Sequence, residues 1–327
     1  MAVITLSSAF IHAQERDNGG FQAEFSVIPR LDGALSVPRG GGSSELSLGN
    51  SSLYTLAEGN ITDFLSFGFC GHWLSDDPAY LYDNTFHSDA TNWLDALYLD
   101  FSVGSFDFTL GKDMVTTGGF ENEDYDFDVH PFLCSGIWNN FPCYQWGAKA
   151  AWTTPSEKSS FAFQFSASPY GERPFSSGLF NYSLSWNGEY GPLSTVWSAT
   201  AVDTGDGFIP FVMLGQRLEF GSWTVGLDVS NQVGTGLEIL SDGLTLIPSL
   251  AFSPCDKWEF TAKGVYQKLK DPVMAGEDDS WLAGVSAHWF PLRDSQDLRI
   301  HAVAAYDSAF DAINISLGLI FYLRFVS

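Results

Sequence analysis

Residues 313–325 read INISLGLIFYLRF. Ile313, Ile315, Leu317, Leu319, Phe321, Leu323 and Phe325 are all apolar. The alternate set is Asn314, Ser316, Gly318, Ile320, Tyr322 and Arg324. Side chains along a strand point alternately to the two faces of its sheet, so this stretch is a strand with one greasy face and one polar or small face. Soluble strands run to about 5–6 residues. A strand of about 9–11 residues, tilted, crosses a bilayer.

The same alternation recurs upstream. Phe180, Tyr182, Leu184 and Trp186 oppose Asn181, Ser183, Ser185 and Asn187. Trp223, Val225, Leu227 and Val229 oppose Thr224, Gly226, Asp228 and Ser230. The pattern predicts sixteen strands, at 21–30, 52–61, 64–74, 94–102, 106–114, 144–153, 160–169, 180–190, 193–202, 208–219, 222–232, 244–253, 257–268, 280–290, 298–307 and 313–325. The second and fourth are weak, which leaves fourteen or eighteen as alternatives. Long and short connections largely alternate. A sandwich has no reason to do this, whereas an outer-membrane barrel has short periplasmic turns and longer outer loops. Trp73, Trp152, Trp186, Tyr190, Trp223, Trp258, Trp289 and Tyr322 lie near strand ends, where interfacial girdles belong. The expected fold is an all-β transmembrane antiparallel barrel in the outer membrane, with lipid as its surrounding partner.

Composition agrees. The 327 residues carry a net charge of −24, with 15 Lys plus Arg against 39 Asp plus Glu. Phosphate contacts need basic clusters, so nucleic acid is an unsuitable partner. Aromatics make up 16% of the chain, yet mean hydropathy is only +0.01. No run of about 18–20 apolar residues suits a membrane helix. Residues 1–13, MAVITLSSAFIHA, read as a truncated signal peptide without its basic start, leaving 14–327 as one barrel domain. Cys134 and Cys143 share one loop, and the sequence leaves a disulfide or two free thiols equally open. No zinc or cofactor motif occurs.

Sixteen strands enclose an aqueous lumen. By parity its wall receives acids that include Glu24, Glu58, Asp100, Asp113, Asp228 and Glu259. The same parity assigns it the bases Arg30, Lys149, Arg217, Lys263 and Arg299. Lys112 falls on the greasy parity, which implies a bulge or a position beyond the lipid band. The longest connection, residues 115–143, holds Gly118-Gly119 and the acids Glu121, Glu123, Asp124, Asp126 and Asp128. It also holds Phe120, Phe127, Phe132, Ile137, Trp138 and Phe141, too apolar a set to float in water. Folded inward, this loop would narrow the pore and, with Asp113, place carboxylates at the constriction. Such a ring favours cations.

The run Leu97–Asp128, LYLDFSVGSFDFTLGKDMVTTGGFENEDYDFD, resembles the porins of Bacteroidetes outer membranes, the phosphate-selective porin O/P group. In that group a strand ending in a Gly-Lys step leads into a Glu-rich GGF loop. The resemblance implies a pore for small solutes, often a homotrimer. The acid-rich loop points to cations rather than phosphate. Residues 75–93 have the position of a loop that latches a neighbouring subunit or forms a self-packed lid. The expected function is passive diffusion of small hydrophilic solutes or ions, with no enzymatic activity. The alternatives are a non-conducting adhesin or assembly barrel and an outer-membrane hydrolase. His72, His288 and His301 fall on the polar parity, but no GxSxG or HExxH motif is present.

Overall fold

A computed structural model describes residues 21–75, 93–125, 127–141, 143–171, 175–232, 243–268 and 279–326. Its strands are β1 (Gln22–Pro38), β2 (Glu45–Ser47), β3 (Ser52–Thr62), β4 (Leu65–Ser75), β5 (Leu94–Val103), β6 (Phe106–Met114), β7 (Tyr144–Thr153), β8 (Ser159–Ala167) and β9 (Phe180–Tyr190). They continue as β10 (Leu193–Asp203), β11 (Phe208–Phe220), β12 (Trp223–Gln232), β13 (Leu244–Cys255), β14 (Trp258–Lys268), β15 (Ser280–Trp289), β16 (Leu298–Asp307), β17 (Ala312–Phe321) and β18 (Leu323–Val326). β18 continues β17 past Tyr322, and β2 is a short strand folded against β1. The rest form sixteen antiparallel staves, each bonded to its neighbours in sequence order.

β1 closes the ring. One edge pairs with β3, Arg30 opposite Ser52, and the other pairs with β17, Arg30 opposite Ile320. The sequence places the end of this strand at 30, but it runs on to Pro38. Asp32-Gly33 is a strong turn signal by itself. Here it is overridden because Asp32 pairs with Gly318 and Gly33 with Leu317 on β17.

The two faces separate as the alternation requires. Ile313, Ile315, Leu317 and Leu319 are exposed on the lipid side, while Asn314 and Ser316 are buried on the inner side. Aromatics band both rims. Trp258 stacks on Trp289 at 6.0 Å and Trp223 on Phe252 at 4.3 Å near the short turns. Trp73 stacks on Trp93 at 4.8 Å near the opposite rim. Tyr322 is the exception: it turns inward and packs on Phe127, with ring centroids 6.0 Å apart. Tyr322 shares the inward parity of Asn314, Ser316 and Ile320, so the alternation itself turns it from the rim to the lumen.

Gly111, in β6, has φ +143°, and a Cβ there would stand 2.2 Å from the Leu97 carbonyl oxygen. Next to Gly111, Lys112 is buried and its Nζ donates to the Leu94 carbonyl at 2.5 Å. A base on the lipid-facing parity is thereby removed from hydrocarbon. Gly111→Ala is expected to destabilise the barrel by about 1–3 kcal/mol. The urea midpoint of refolding into lipid vesicles measures this.

Candidate pore constriction

The 115–143 segment leaves the wall at Met114 and returns at Tyr144. Its neck is pinched where the Val115 N–H donates to the Cys143 carbonyl at 2.6 Å. The first limb lies along the inner face. The Thr116 N–H donates to Gln164 Oε1 at 2.6 Å, and Thr200 Oγ1 donates to the Thr116 carbonyl at 2.9 Å. The Gly119 N–H donates to the Val196 carbonyl at 3.1 Å. A Cβ on Gly118 would meet Ser198 Oγ at 2.5 Å, and one on Gly119 would meet Met213 Sδ at 2.2 Å. Both glycines have positive φ, near +77° and +76°. Only glycine combines that backbone with so close an approach.

Glu121 anchors the next stretch. Its carboxylate accepts from the Ser135 N–H at 2.9 Å and from the Ser135 hydroxyl, and Lys263 Nζ sits 2.6 Å away. The Glu121 N–H in turn donates to Asp228 Oδ2 at 2.9 Å. A buried charge is tolerable only when its lone pairs are satisfied in this way. Ser135 also caps the short helix α1 (Gly136–Asn140) through the Trp138 N–H.

Beyond a bend at Glu123 and Asp124, the chain reaches the other side of the barrel. Phe127 inserts among Ile28, Tyr54, Leu56 and Ile320. Arg30 Nη1 donates to the carbonyls of Phe127 at 3.1 Å and Val129 at 2.7 Å. Leu133 enters a second cluster with Ile247, Val265 and Val303, and Ile137 and Phe141 a third with Phe211 and Met213. β10, which holds Gly119, and β1, which holds the Phe127 carbonyl, are half a ring apart in the strand order. The segment therefore crosses the lumen.

The acids that the sequence groups together have different surroundings. Asp113 pairs with Lys149 at 2.7 Å, on the wall. Asp128 pairs with Arg299 at 3.2 Å and accepts from the Tyr322 hydroxyl. Glu121 is buried beside Lys263. Asp126 lies outside the described residues. Glu123 and Asp124 are partly exposed, and among the described residues they form no ion pair. Enclosure lifts the Glu123 carboxyl to about 7, with neighbouring Asp124 adding to the rise and Arg217 opposing it. Enclosure, and then Asp128, lift Asp124 to about 6, against the pull of Arg217.

The bases sort in the same way. Arg30 holds Asp32 at 2.6 Å, and Lys149, Lys263 and Arg299 each hold a carboxylate. Arg217 lies over the Phe120 ring at 4.1 Å and forms no ion pair among the described residues. Of these acids and bases, Glu123, Asp124 and Arg217 are the ones without an ion pair among the described residues. His130, Asp32, Ser135 and Gln164 escape a reading of the sequence because their partners are distant in the chain. Cys134 and Cys143 are not joined in a disulfide. The described residues contain no group of three or more His, Cys, Asp or Glu that would hold a metal ion.

This fold is that of a porin-type outer-membrane barrel: sixteen antiparallel staves around a lumen crossed by one long connection. No family model matches the chain, and no curated relative does either. Solved structures do. OmpT of Vibrio cholerae, in a form lacking loop L8, matches with a TM-score of 0.61 at 12% identity over 93% of this chain and all of that one. A trimer form of OmpT from the same organism gives 0.59 at 12% identity over 93% of this chain and all of that one. A variant of the Rh. blastica porin gives 0.59 at 14% identity over 91% of this chain and all of that one.

Replacing Lys263 with Met leaves Glu121 buried and uncompensated, at an expected cost of about 3–5 kcal/mol. The double variant Lys263→Met/Glu121→Gln should recover part of that loss. Urea midpoints of the three proteins test both expectations.

Proposed function

We propose that the chain is an outer-membrane porin, a passive channel for small hydrophilic solutes that prefers cations. The observation that carries this reading is the pair Glu123 and Asp124, partly exposed at the bend of the lumen-crossing segment and free of ion pairs among the described residues. Carboxylates at a narrow, low-dielectric point attract cations and repel anions. The net charge of −24 works in the same direction by raising the local cation concentration. The Gly-Lys step and GGF loop support membership of the phosphate-selective porin O/P group, with the acid pair arguing for a cation-selective member. A homotrimer fits the class, and the OmpT trimer supports it. The 75–93 latch lies almost wholly outside the described residues, as does the 1–13 signal.

A hydrolase is the second reading, and its candidate bases are the histidines. His130 meets Arg30 and His288, His288 meets Glu259, and His301 meets Asp32. None of these contacts sets a serine hydroxyl beside a histidine, the arrangement that a serine-type hydrolase needs.

In planar bilayers with a salt gradient, the purified protein is expected to show a reversal potential of cation-selective sign. Zero conductance would instead indicate a non-conducting barrel, and anion preference would refute the role given to the acid pair. Glu123→Gln/Asp124→Asn should bring the permeability ratio toward unity, while Asp113→Asn changes it little. Both free carboxyls have raised pKa values, about 7 and about 6, so each is neutral below that range and charged above it. Cation preference should therefore climb between about pH 5 and 8. In the double variant the climb should be absent.

A further inference from the structure

Three imidazoles meet where residues 127–133 reach the wall. His130 lies on the crossing segment, while His288 and His301 are direct partners across β15 and β16. The His130 ring centroid is 5.1 Å from that of His288 and 4.6 Å from that of His301, and all three side chains are buried.

His130 Nε2 is 3.1 Å from His288 Nε2. Two ring nitrogens in hydrogen-bond contact share one proton: one is N–H and the other presents a bare lone pair. The flanking atoms fit neutral rings. Arg30 Nη2 points at His130 Nδ1 from 3.5 Å, which leaves the His130 proton on Nε2, so His130 donates to His288. His288 Nδ1 then directs its own proton at Glu259 Oε1, 3.5 Å away. His301 Nε2 donates to Asp32 Oδ1 at 2.6 Å, and its Nδ1 is buried without a partner.

The charged and titratable groups around His130 come from every neighbouring element. Arg30 and Asp32 stand on β1, Glu259 on β14, Arg299 on β16, and Tyr322 follows β17; Asp128 belongs to the segment itself. Arg30 and Arg299 both donate to the segment's carbonyls, so two fixed cations already lie beside the rings.

We propose that the His130–His288 contact is an acid-released latch: protonation frees residues 127–133 from the wall and makes the constriction pH-regulated. The consequence for permeation rests on the porin reading, whereas the latch itself does not. A second proton on the pair sets N–H against N–H and adds a cation next to Arg30 and Arg299. Burial, then His288 and Arg30, hold the His130 pKa well below its ordinary value.

The latched state thus binds fewer protons than a released segment whose His130 titrates near the usual ~6.5, and acid favours release. For one proton, the ratio of latched to released segment falls about tenfold per pH unit below ~6.5, or about 100-fold by pH 4.5. The Glu121–Lys263 anchor stands outside the cluster, so release occurs at one end of the segment only.

Hydrogen exchange read by mass spectrometry tests the latch on the folded full chain in detergent. The reporter amides are Asp128, bonded to the Tyr125 carbonyl at 2.8 Å, and Leu133, bonded to the His130 carbonyl at 2.7 Å. After correction for intrinsic exchange, their protection should drop about 100-fold in the wild type between pH 7.5 and 4.5. Strand amides should keep theirs. His130→Gln and His288→Gln preserve a polar contact but cannot charge it, and each should abolish most of the drop. Unchanged wild-type protection would overturn the proposal. So would variants that lose as much protection as the wild type, since carboxylates would then be the sensor. His130→Gln alters the crossing segment rather than the barrel wall, and carries the test if His288→Gln does not fold. A wild type that shows the drop but conducts no current would keep the latch and overturn the pore.

Discussion

The pairing of β1 with β17 is the contact on which the rest of the molecule depends. Inside a hydrocarbon layer an unpaired N–H or carbonyl has no water to turn to, and each costs several kcal/mol. An open sheet of this length would expose two such edges. With β3 on one side and β17 with β18 on the other, β1 removes both. Closure also decides which face is inside. Once the ring is shut, every even–odd alternation becomes a choice between lipid and lumen.

A ring of sixteen staves is too wide for its own side chains to fill. The 115–143 segment occupies part of that space, and apolar packing holds it there. Phe127, Leu133, Ile137 and Phe141 each enter a cluster of wall residues. The polar contacts add placement more than stability. Glu121 with Lys263 is a buried ion pair, and such pairs recover their desolvation cost only when the geometry is good and remaining hydrogen bonds are made. Ser135 supplies those bonds. Gly118 and Gly119 allow the backbone to lie directly on Ser198 and Met213, so the start of the segment is set by steric fit.

This anchoring divides the acids by task. Glu121, Asp128 and Asp113 are taken up by Lys263, Arg299 and Lys149. Glu123 and Asp124 sit between the two anchored ends, where the chain must bend. An element pinned at both ends presents its middle to the solvent, which leaves these two carboxylates partly exposed. Their raised pKa values follow from their enclosure within the barrel.

The strands were legible because alternation is local: each residue's face depends only on its neighbours. Four predicted ranges, 106–114, 144–153, 180–190 and 298–307, coincide with the observed strands. The girdle at Trp223, Trp258 and Trp289 was legible for the same reason. What misled was also local. Asp32-Gly33 carries a turn signal that β17 overrides, and Tyr322 has the composition of a girdle residue but an inward contact with Phe127. Sequence alone thus determined the barrel, its two faces and the acidity of its longest connection. Only the tertiary structure decided which acids are neutralised and that His130, His288 and His301 meet. Those outcomes depend on pairings between residues on different strands, some more than a hundred positions apart, such as Glu121 with Lys263, and such contacts exist only after the ring has closed.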